Sequence, residues 1–218
     1  MSGEGRTPLV LVPGLLLTEG LYAHQIRHLA DTADVTVADT LQDDSIQAMA
    51  DRLLAAAPER FALGGLSMGG YVALAVMATA PERVTHLALM DTQARADGEE
   101  AKRRRRALLA LSRQGKFKGV TPRLLPQLIH PDRLEEPALV DPIMARPDRM
   151  DLLPAIRCPT LVMVGRQDAL IPLARSAEMA EAIPGARLAV IEECGHLPTM
   201  ERPQAATALL RDWLVYSR

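Results

Sequence analysis

The chain has 218 residues, of which 48% are hydrophobic and 24% are charged, and its formal net charge is −2. These values are typical of one globular domain, and the small net charge gives no general attraction to nucleic acid or to anionic lipid. The longest apolar stretch near the N-terminus, residues 9–17, is broken by a Pro-Gly pair and is too short to span a bilayer. Residues 1–6 lack a signal-peptide pattern, and Cys158 and Cys194 form neither a metal motif nor a disulfide framework. We therefore expect a cytoplasmic protein with free thiols and with no nucleic-acid or membrane partner.

The first half of the chain alternates predicted strands with predicted helices. Short apolar runs predict strands at residues 8–12, 35–38, 61–66 and 84–90. Thr18 and Ser45 are each positioned to cap a helix, and residues 68–80 form a third helix that is apolar on nearly every side. Repeated strand–helix units of this kind predict a parallel sheet.

Residues 92–159 interrupt this alternation with a segment rich in charge and proline, in which one helix is predicted near residues 99–113. The segment is too long for an ordinary connection, so we expect a small helical lid inserted into one α/β core made of residues 1–91 and 160–218. The alternation resumes with strands at 161–164 and 188–191 and with helices after Pro172 and around residues 209–214. The predicted core is a mostly parallel, open sheet of about six strands with helices on both faces.

The segment Gly64-Gly65-Leu66-Ser67-Met68-Gly69-Gly70 lies where a predicted strand passes directly into a helix. This context is typical of a nucleophile elbow, in which a sharp turn exposes the serine hydroxyl and glycines replace side chains that would collide. The start of the helix would direct its amide groups and its positive dipole end toward an oxyanion at Ser67. The alternative is a glycine-rich turn that packs a helix closely on a sheet, and the strand–helix context favours the nucleophile.

A serine hydroxyl needs a general base, and the chain offers five histidines. His24 and His28 lie four residues apart on the first helix, without an evident third metal ligand. His86 lies in a strand, where a structural role is expected, and His130 lies in the lid segment. His196 follows the last strand at its carboxyl end, the edge where ligands bind in open parallel sheets, and is the predicted base.

Two aspartates follow strands in a position to orient His196. Asp168 follows the strand at 161–164, and Asp91 ends the strand at 84–90. Either could reach the imidazole ring, and Asp168 gives the chain order Ser, Asp, His that accompanies a nucleophile elbow. We therefore predict Asp168 as the acid and expect Asp91 to act as a structural cap.

Four segments together resemble the α/β-hydrolase superfamily over nearly the whole chain: residues 64–70, 80–84, 156–168 and 195–203. The resemblance implies hydrolysis by Ser67, Asp168 and His196 through a covalent acyl-enzyme, with no cofactor and no metal. Family members usually carry His-Gly after the strand that here ends in Val12-Pro13-Gly14. By position, the backbone amides of Leu15 and Met68 would then form the oxyanion hole.

The basic run Lys102-Arg103-Arg104-Arg105-Arg106 admits a nucleic-acid or targeting interpretation. Glu99 and Glu100 precede it on the same predicted helix, and this mixture of charges favours a solvated lid helix.

We therefore predict a serine hydrolase that cleaves small or medium apolar carboxylic esters, with a small-molecule substrate and with a homo-oligomer left open. The many leucines and scarce aromatics of the lid favour neutral, apolar acyl groups. Lactones, thioesters and carbon–carbon bonds are substrates of related enzymes with the same triad. A ligand-sensing protein of the same fold is the alternative from another class.

Overall fold

The computed structural model describes residues 5–15, 17–100, 102, 103, 106 and 145–216. The six strands are β1 (Thr7–Val12), β2 (Ala33–Val37), β3 (Phe61–Leu66), β4 (Val84–Met90), β5 (Thr160–Gly165) and β6 (Arg187–Ile191). They form one sheet in the order β2-β1-β3-β4-β5-β6, and every neighbouring pair is parallel. All six predicted strands are confirmed, and their bounds agree with the predictions to within two residues. Because the strands are parallel, their carboxyl ends meet at one edge of the sheet.

Helices cover both faces of the sheet, as predicted. The α-helices described over their full length are α1 (Ala23–His28), α2 (Ile46–Ala56), α3 (Met68–Thr79), α4 (Leu173–Ala182), α5 (Pro198–Glu201) and α6 (Pro203–Tyr216). Side chains alternate between the faces along each strand, so Leu9 and Leu11 pack in one cluster with α6 while Val10 and Val12 pack in another with α2 and α3. None of the helices within the described ranges is long and apolar enough to cross a membrane.

The two predicted helix caps have different outcomes. The Ser45 hydroxyl accepts a hydrogen bond of 3.1 Å from the amide of Ala48 and caps α2 as predicted. Thr18 makes no capping hydrogen bond with its side chain, so that prediction is wrong. The chain enters α1 through a 3-10 turn, Glu19–Tyr22, and the carbonyl of Thr18 already binds the amide of Leu21 at 3.1 Å.

The described ends of the predicted lid segment, 92–159, are joined to each other and to the core. Ala94, Leu153 and Ile156 are buried in the core cluster that contains α3 and α4. Arg146 pairs with Asp97 at 2.8 Å, and both side chains are almost completely buried. The segment therefore leaves the core and returns to it at nearly the same place.

Most of the predicted lid lies outside the described residues. This applies to the greater part of the helix predicted near 99–113, to His130 and to two arginines of the basic run. The lid therefore stays a prediction, as does the solvated face of its basic helix.

Candidate active site

Ser67 lies in a sharp turn between β3 and α3. Its backbone has φ 56° and ψ −115°, a combination that costs a residue other than glycine about 1–3 kcal/mol. The Ser67 amide donates to the carbonyl of Met90 at 2.9 Å, and its own carbonyl accepts from the amide of Gly70 and the hydroxyl of Thr92. These contacts to β4 and to the following segment hold the strained turn in place.

The glycines on either side of the turn are required by close backbone packing. A Cβ atom on Gly65 would lie 2.2 Å from the carbonyl oxygen of Gly69, and one on Gly69 would lie 2.0 Å from that of Val12. Neither separation is sterically allowed. The first turn of α3 therefore packs against β3 and the end of β1 without intervening side chains, as the elbow motif predicts.

The two residues predicted to form an oxyanion hole lie in the segments that flank this turn. Met68 is the first residue of α3, and the first amides of a helix have no acceptor within the helix. Leu15 is half-buried in the loop after β1, and a Cβ on the preceding Gly14 would lie 3.5 Å from the Cβ of Ser67. The loop thus passes beside the turn, and the role of both amides stays a prediction.

A buried tyrosine anchors the beginning of that loop. The hydroxyl of Tyr22 donates a hydrogen bond of 2.8 Å to the carbonyl of Val12. Burial raises the pKa of Tyr22 far above its ordinary value, although a backbone hydrogen bond at Leu66 opposes the shift. The hydroxyl therefore keeps its proton and remains a donor at the pH values of ordinary assays.

The structure brings His196 and Asp168 together. Nδ1 of His196 lies 2.8 Å from Oδ2 of Asp168, whose side chain is fully buried. The other oxygen of Asp168 accepts the amides of Leu170 at 2.8 Å and Ile171 at 3.0 Å. Burial alone would raise the pKa of Asp168, but the hydrogen bond and charge of His196 and the two amides outweigh it and hold the pKa below its ordinary value. An ionised Asp168 favours the tautomer with a proton on Nδ1, which leaves Nε2 free to accept one.

The loop that carries His196 is held by Glu201, a residue that the sequence reasoning did not single out. Its carboxylate accepts the amide of Gly195 at 2.8 Å and the amide of Leu197 at 2.9 Å. These amides belong to the residues immediately before and after the histidine. A glutamate in the first turn of a helix can accept the amide of the N-cap residue, here Leu197, and this local spacing could have identified it.

Asp91 lies behind this pair, at the end of β4. It is fully buried, and its backbone φ of 43° is again in the left-handed region. One carboxyl oxygen accepts the amide of Gly165 at 2.9 Å, which agrees with the structural cap that we expected. Of the two candidate acids, Asp168 therefore holds the hydrogen bond to His196.

Asp91, Asp168 and His196 also have the spacing of a metal site, since one side-chain atom from each lies within 4.8 Å of the other two. However, Nδ1 of His196 and both oxygens of Asp168 are already engaged in the hydrogen bonds described above. We therefore interpret the cluster as an acid–base group.

Ser67 and His196 both follow strands at the carboxyl edge of the sheet, but no hydrogen bond joins them among the described residues. Hydrogen bonds between nucleophile and base are often loose without substrate and tighten when it binds.

The other described histidines have local partners away from this edge. The rings of His24 and His28 lie 4.2 Å apart, and Nδ1 of His24 lies 2.9 Å from the hydroxyl of Thr207. Within the described ranges, these two have no third histidine, cysteine or carboxylate placed to complete a metal site. His86 packs edge-on against the single tryptophan, as expected of a structural residue.

A strained serine at a strand–helix turn, with a histidine–aspartate pair at the same sheet edge, defines the class of α/β serine hydrolases. The model of the alpha/beta hydrolase family matches residues 9–209, and the chain belongs to that family. The expectations of this fold and of a hydrolytic enzyme are thus confirmed.

Individual relatives agree with this assignment. A thermophilic esterase from Thermogutta terrifontis, whose structure was solved with malate bound, is 34% identical with a TM-score of 0.83, over 99% of this chain and 91% of that chain. A pimeloyl-(acyl-carrier protein) methyl ester esterase of Neisseria meningitidis is 29% identical over 79% of this chain, which spans 63% of that relative's length. An enol-lactonase from Burkholderia xenovorans has a TM-score of 0.80 over 98% of this chain and 93% of its own, but at 23% identity it supports the fold alone.

Proposed function

We propose that the protein hydrolyses carboxylic esters through a covalent acyl-enzyme on Ser67. The observation that carries this proposal is the hydrogen bond of 2.8 Å between His196 and a buried, ionised Asp168, at the sheet edge that also presents Ser67. The names of two relatives, a thermophilic esterase and a methyl ester esterase, support the ester as substrate class.

In the proposed reaction, the Ser67 hydroxyl attacks the ester carbonyl while Nε2 of His196 takes its proton. Asp168 stabilises the imidazolium that forms. The amides of Met68 and Leu15 and the positive end of α3 would stabilise the oxyanion of the tetrahedral intermediate. His196 then protonates the departing alcohol. A water molecule, deprotonated by His196, attacks the acyl-enzyme, and the acid leaves as Ser67 regains its proton.

We also propose a preference for neutral, apolar acyl groups of small or medium size. Leu15, which is half-buried in the loop that passes beside the serine, has an aliphatic side chain, whereas Met68 is fully buried in the core. Each buried CH₂ of an acyl chain contributes about 0.8 kcal/mol. The lid leucines on which this expectation also depends lie outside the described residues. A related esterase binds malate, which is a dicarboxylate. Half-esters of dicarboxylic acids, whose acyl groups are charged, are therefore the substrates to compare with neutral esters. Faster turnover of the half-esters than of neutral esters with the same leaving group would contradict the preference.

The decisive experiment compares wild type with Ser67→Ala on activated esters, lactones and thioesters. Wild type should turn over esters fastest, and Ser67→Ala should lose activity by roughly a thousandfold or more while keeping its fold, because the triad acts as a unit. A fluorophosphonate probe should label wild type at Ser67 and leave Ser67→Ala unlabelled. Retained activity in the folded variant would refute the serine mechanism. Tight ligand binding with negligible turnover by wild type would instead indicate a ligand sensor.

A cytoplasmic location completes the proposal. It is supported by Cys158 and Cys194, which are both free thiols, as expected in a reducing compartment. Cell fractionation with an antibody against the protein tests the location, and recovery outside the cytoplasmic fraction would contradict it.

A further inference from the structure

Asp91 is a buried titratable residue that the proposed mechanism does not use. None of its surface is exposed to solvent, and its left-handed φ of 43° is a conformation that aspartate adopts at some cost. One oxygen accepts the amide of Gly165, but Oδ2 has no hydrogen-bond partner among the described residues. A buried oxygen of this kind is costly unless it makes a hydrogen bond, for which it must either find a donor or carry a proton of its own.

The predicted catalytic pair lies close to the carboxyl group of Asp91. Side-chain atoms of Asp91, Asp168 and His196 all lie within 4.8 Å of one another. Two carboxylates cannot hydrogen-bond each other when both are ionised, and like charges so close together disfavour double ionisation. If one of them is protonated, its O–H can donate to the other, and both become satisfied.

The number of hydrogen-bond donors around each carboxyl group indicates which of the two holds the proton. Asp168 accepts three N–H donors, from His196, Leu170 and Ile171, which stabilise its ionised form. Asp91 accepts only the amide of Gly165 among the described residues. The proton therefore resides on Asp91, because the carboxylate with more donors is the better place for the negative charge.

We propose that Asp91 is a positioning residue, a neutral carboxylic acid whose O–H donates to Asp168 and thereby fixes the carboxylate that orients His196. This inference rests on the proposed function. It requires no net transfer of a proton during turnover, since Asp91 keeps its proton throughout. Its consequence is that the aspartate pair carries one negative charge, which is the charge needed to stabilise one imidazolium.

The charges around Asp91 agree with this assignment. Burial is the main cause that raises the pKa of its carboxyl to about 9, and the negative charges of Asp168 and Glu201 add to it against the opposing amide of Gly165. The Cys194 thiol lies close enough for its own pKa, about 12, to be raised by burial first and by Glu201 and Asp91 next. Asp91 is therefore protonated at neutral pH and ionises near pH 9.

Infrared difference spectroscopy tests where the proton resides, and needs no turnover. The difference between wild type and Asp91→Asn at pH 7 should contain the C=O stretch of a protonated carboxylic acid, and this band should disappear as the pH rises through about 9. Asp51→Asn, on the exposed face of α2, is the matched control and should give no such band. A spectrum of an ionised Asp91 at pH 7 would overturn the inference.

The pH dependence of kcat/KM tests the positioning role. Asp91→Asn keeps a neutral donor, so at pH 7 it should stay within about threefold of wild type. Above pH 9, wild type should lose activity as Asp91 ionises and the hydrogen bond to Asp168 is lost, whereas Asp91→Asn should keep it. Asp91→Leu removes the donor and should lose about tenfold or more at pH 7, where wild type still has it. Identical alkaline limbs for wild type and Asp91→Asn would contradict the role, and this comparison remains available if Asp91→Leu does not fold.

The two experiments also separate this inference from the proposed function. If the band of protonated Asp91 is present but the protein hydrolyses no ester, the proposed function is refuted and the protonation of Asp91 is not. If ester hydrolysis depends on Ser67 but the band is absent, the role of Asp91 is refuted and the proposed function is not.

Discussion

Glu201 reaches back from α5 to the amide of Gly195, 2.8 Å away, and so holds the loop on which His196 stands. The same carboxylate binds Leu197 on the other side of the histidine. A carboxylate that accepts two amides makes charge-assisted hydrogen bonds, which are stronger than neutral ones.

We expect substitution of Glu201 to lower kcat with little effect on KM, because the loop would position the base less well. Glu201→Gln keeps one oxygen as an acceptor, but its NH₂ group would face the second backbone N–H, which it cannot accept. We therefore expect kcat to fall by roughly tenfold, and by more in Glu201→Ala. The assay is ester hydrolysis, with fluorophosphonate labelling of Ser67 as a second readout. Glu192→Gln removes an exposed ion pair with Arg166 and is the control, since such pairs contribute little. Equal activity in Glu201→Ala and wild type would show that the loop needs no such support.

The two aspartates at the site should respond differently to amidation. Asp168→Asn removes the charge that stabilises the imidazolium and favours the wrong tautomer, so kcat should fall by roughly a thousandfold or more. The kcat of Asp91→Asn should fall only slightly, because the neutral Asn replaces a carboxylic acid that is itself neutral. Steady-state kinetics on one activated ester at pH 7 measures both. A reversed order would assign the acid to Asp91.

Asp91 should also make the stability of the protein depend on pH. Its pKa is raised from 3.8 to about 9 in the folded protein, so between those values the folded state binds a proton that the unfolded state releases. The contribution of Asp91 to stability is therefore full below about pH 4 and is lost progressively as the pH rises toward 9. Asp91→Asn lacks this dependence.

Thermal unfolding at a series of pH values checks this dependence. The Tm of Asp91→Asn relative to wild type should increase from pH 5 to pH 9, while Asp51→Asn should follow wild type throughout. A constant difference in Tm across this range would be inconsistent with a raised pKa.

The hydroxyl of Tyr22 should matter for both stability and turnover. Tyr22→Phe keeps the buried ring but leaves the carbonyl of Val12 without its donor, which should lower the free energy of unfolding by about 1–3 kcal/mol. Because Val12 leads into the loop with Leu15, kcat should fall as well. Urea denaturation and ester kinetics measure the two effects. Unchanged kcat in a destabilised variant would limit Tyr22 to a structural role.

Much of this fold follows from local sequence patterns. The strand β3 is buried along its whole length and β4 ends in an apolar run, each is followed by a polar residue, and their predicted bounds match the structure. The edge strand β2 begins two residues earlier than predicted, at Ala33, because it alternates between buried and exposed positions and its first residues include an aspartate. Periodicity identifies buried strands more reliably than half-exposed edges.

The site was only partly accessible to sequence reasoning. Ser67 and His196 are signalled by their neighbours along the chain, so position alone predicts them. The choice between Asp91 and Asp168 depends on the path of the loop after β5, which turns two amides onto Asp168 and leaves Asp91 behind it. Glu201 lies only four and six positions after the residues whose amides it binds, so its role was within reach of a local pattern that the sequence reasoning did not use.

The buried pair of Arg146 and Asp97 has a consequence for how this enzyme can change. Together with the hydrogen bond from the amide of Arg149 to the carbonyl of Ala94, at 2.9 Å, it holds the two ends of the segment between β4 and β5 together. The free energy of closing a loop grows only slowly with loop length once its ends are fixed. The chain between these ends can therefore be lengthened, shortened or exchanged with little penalty to the core, so that new substrate ranges can evolve on a catalytic apparatus that is left untouched.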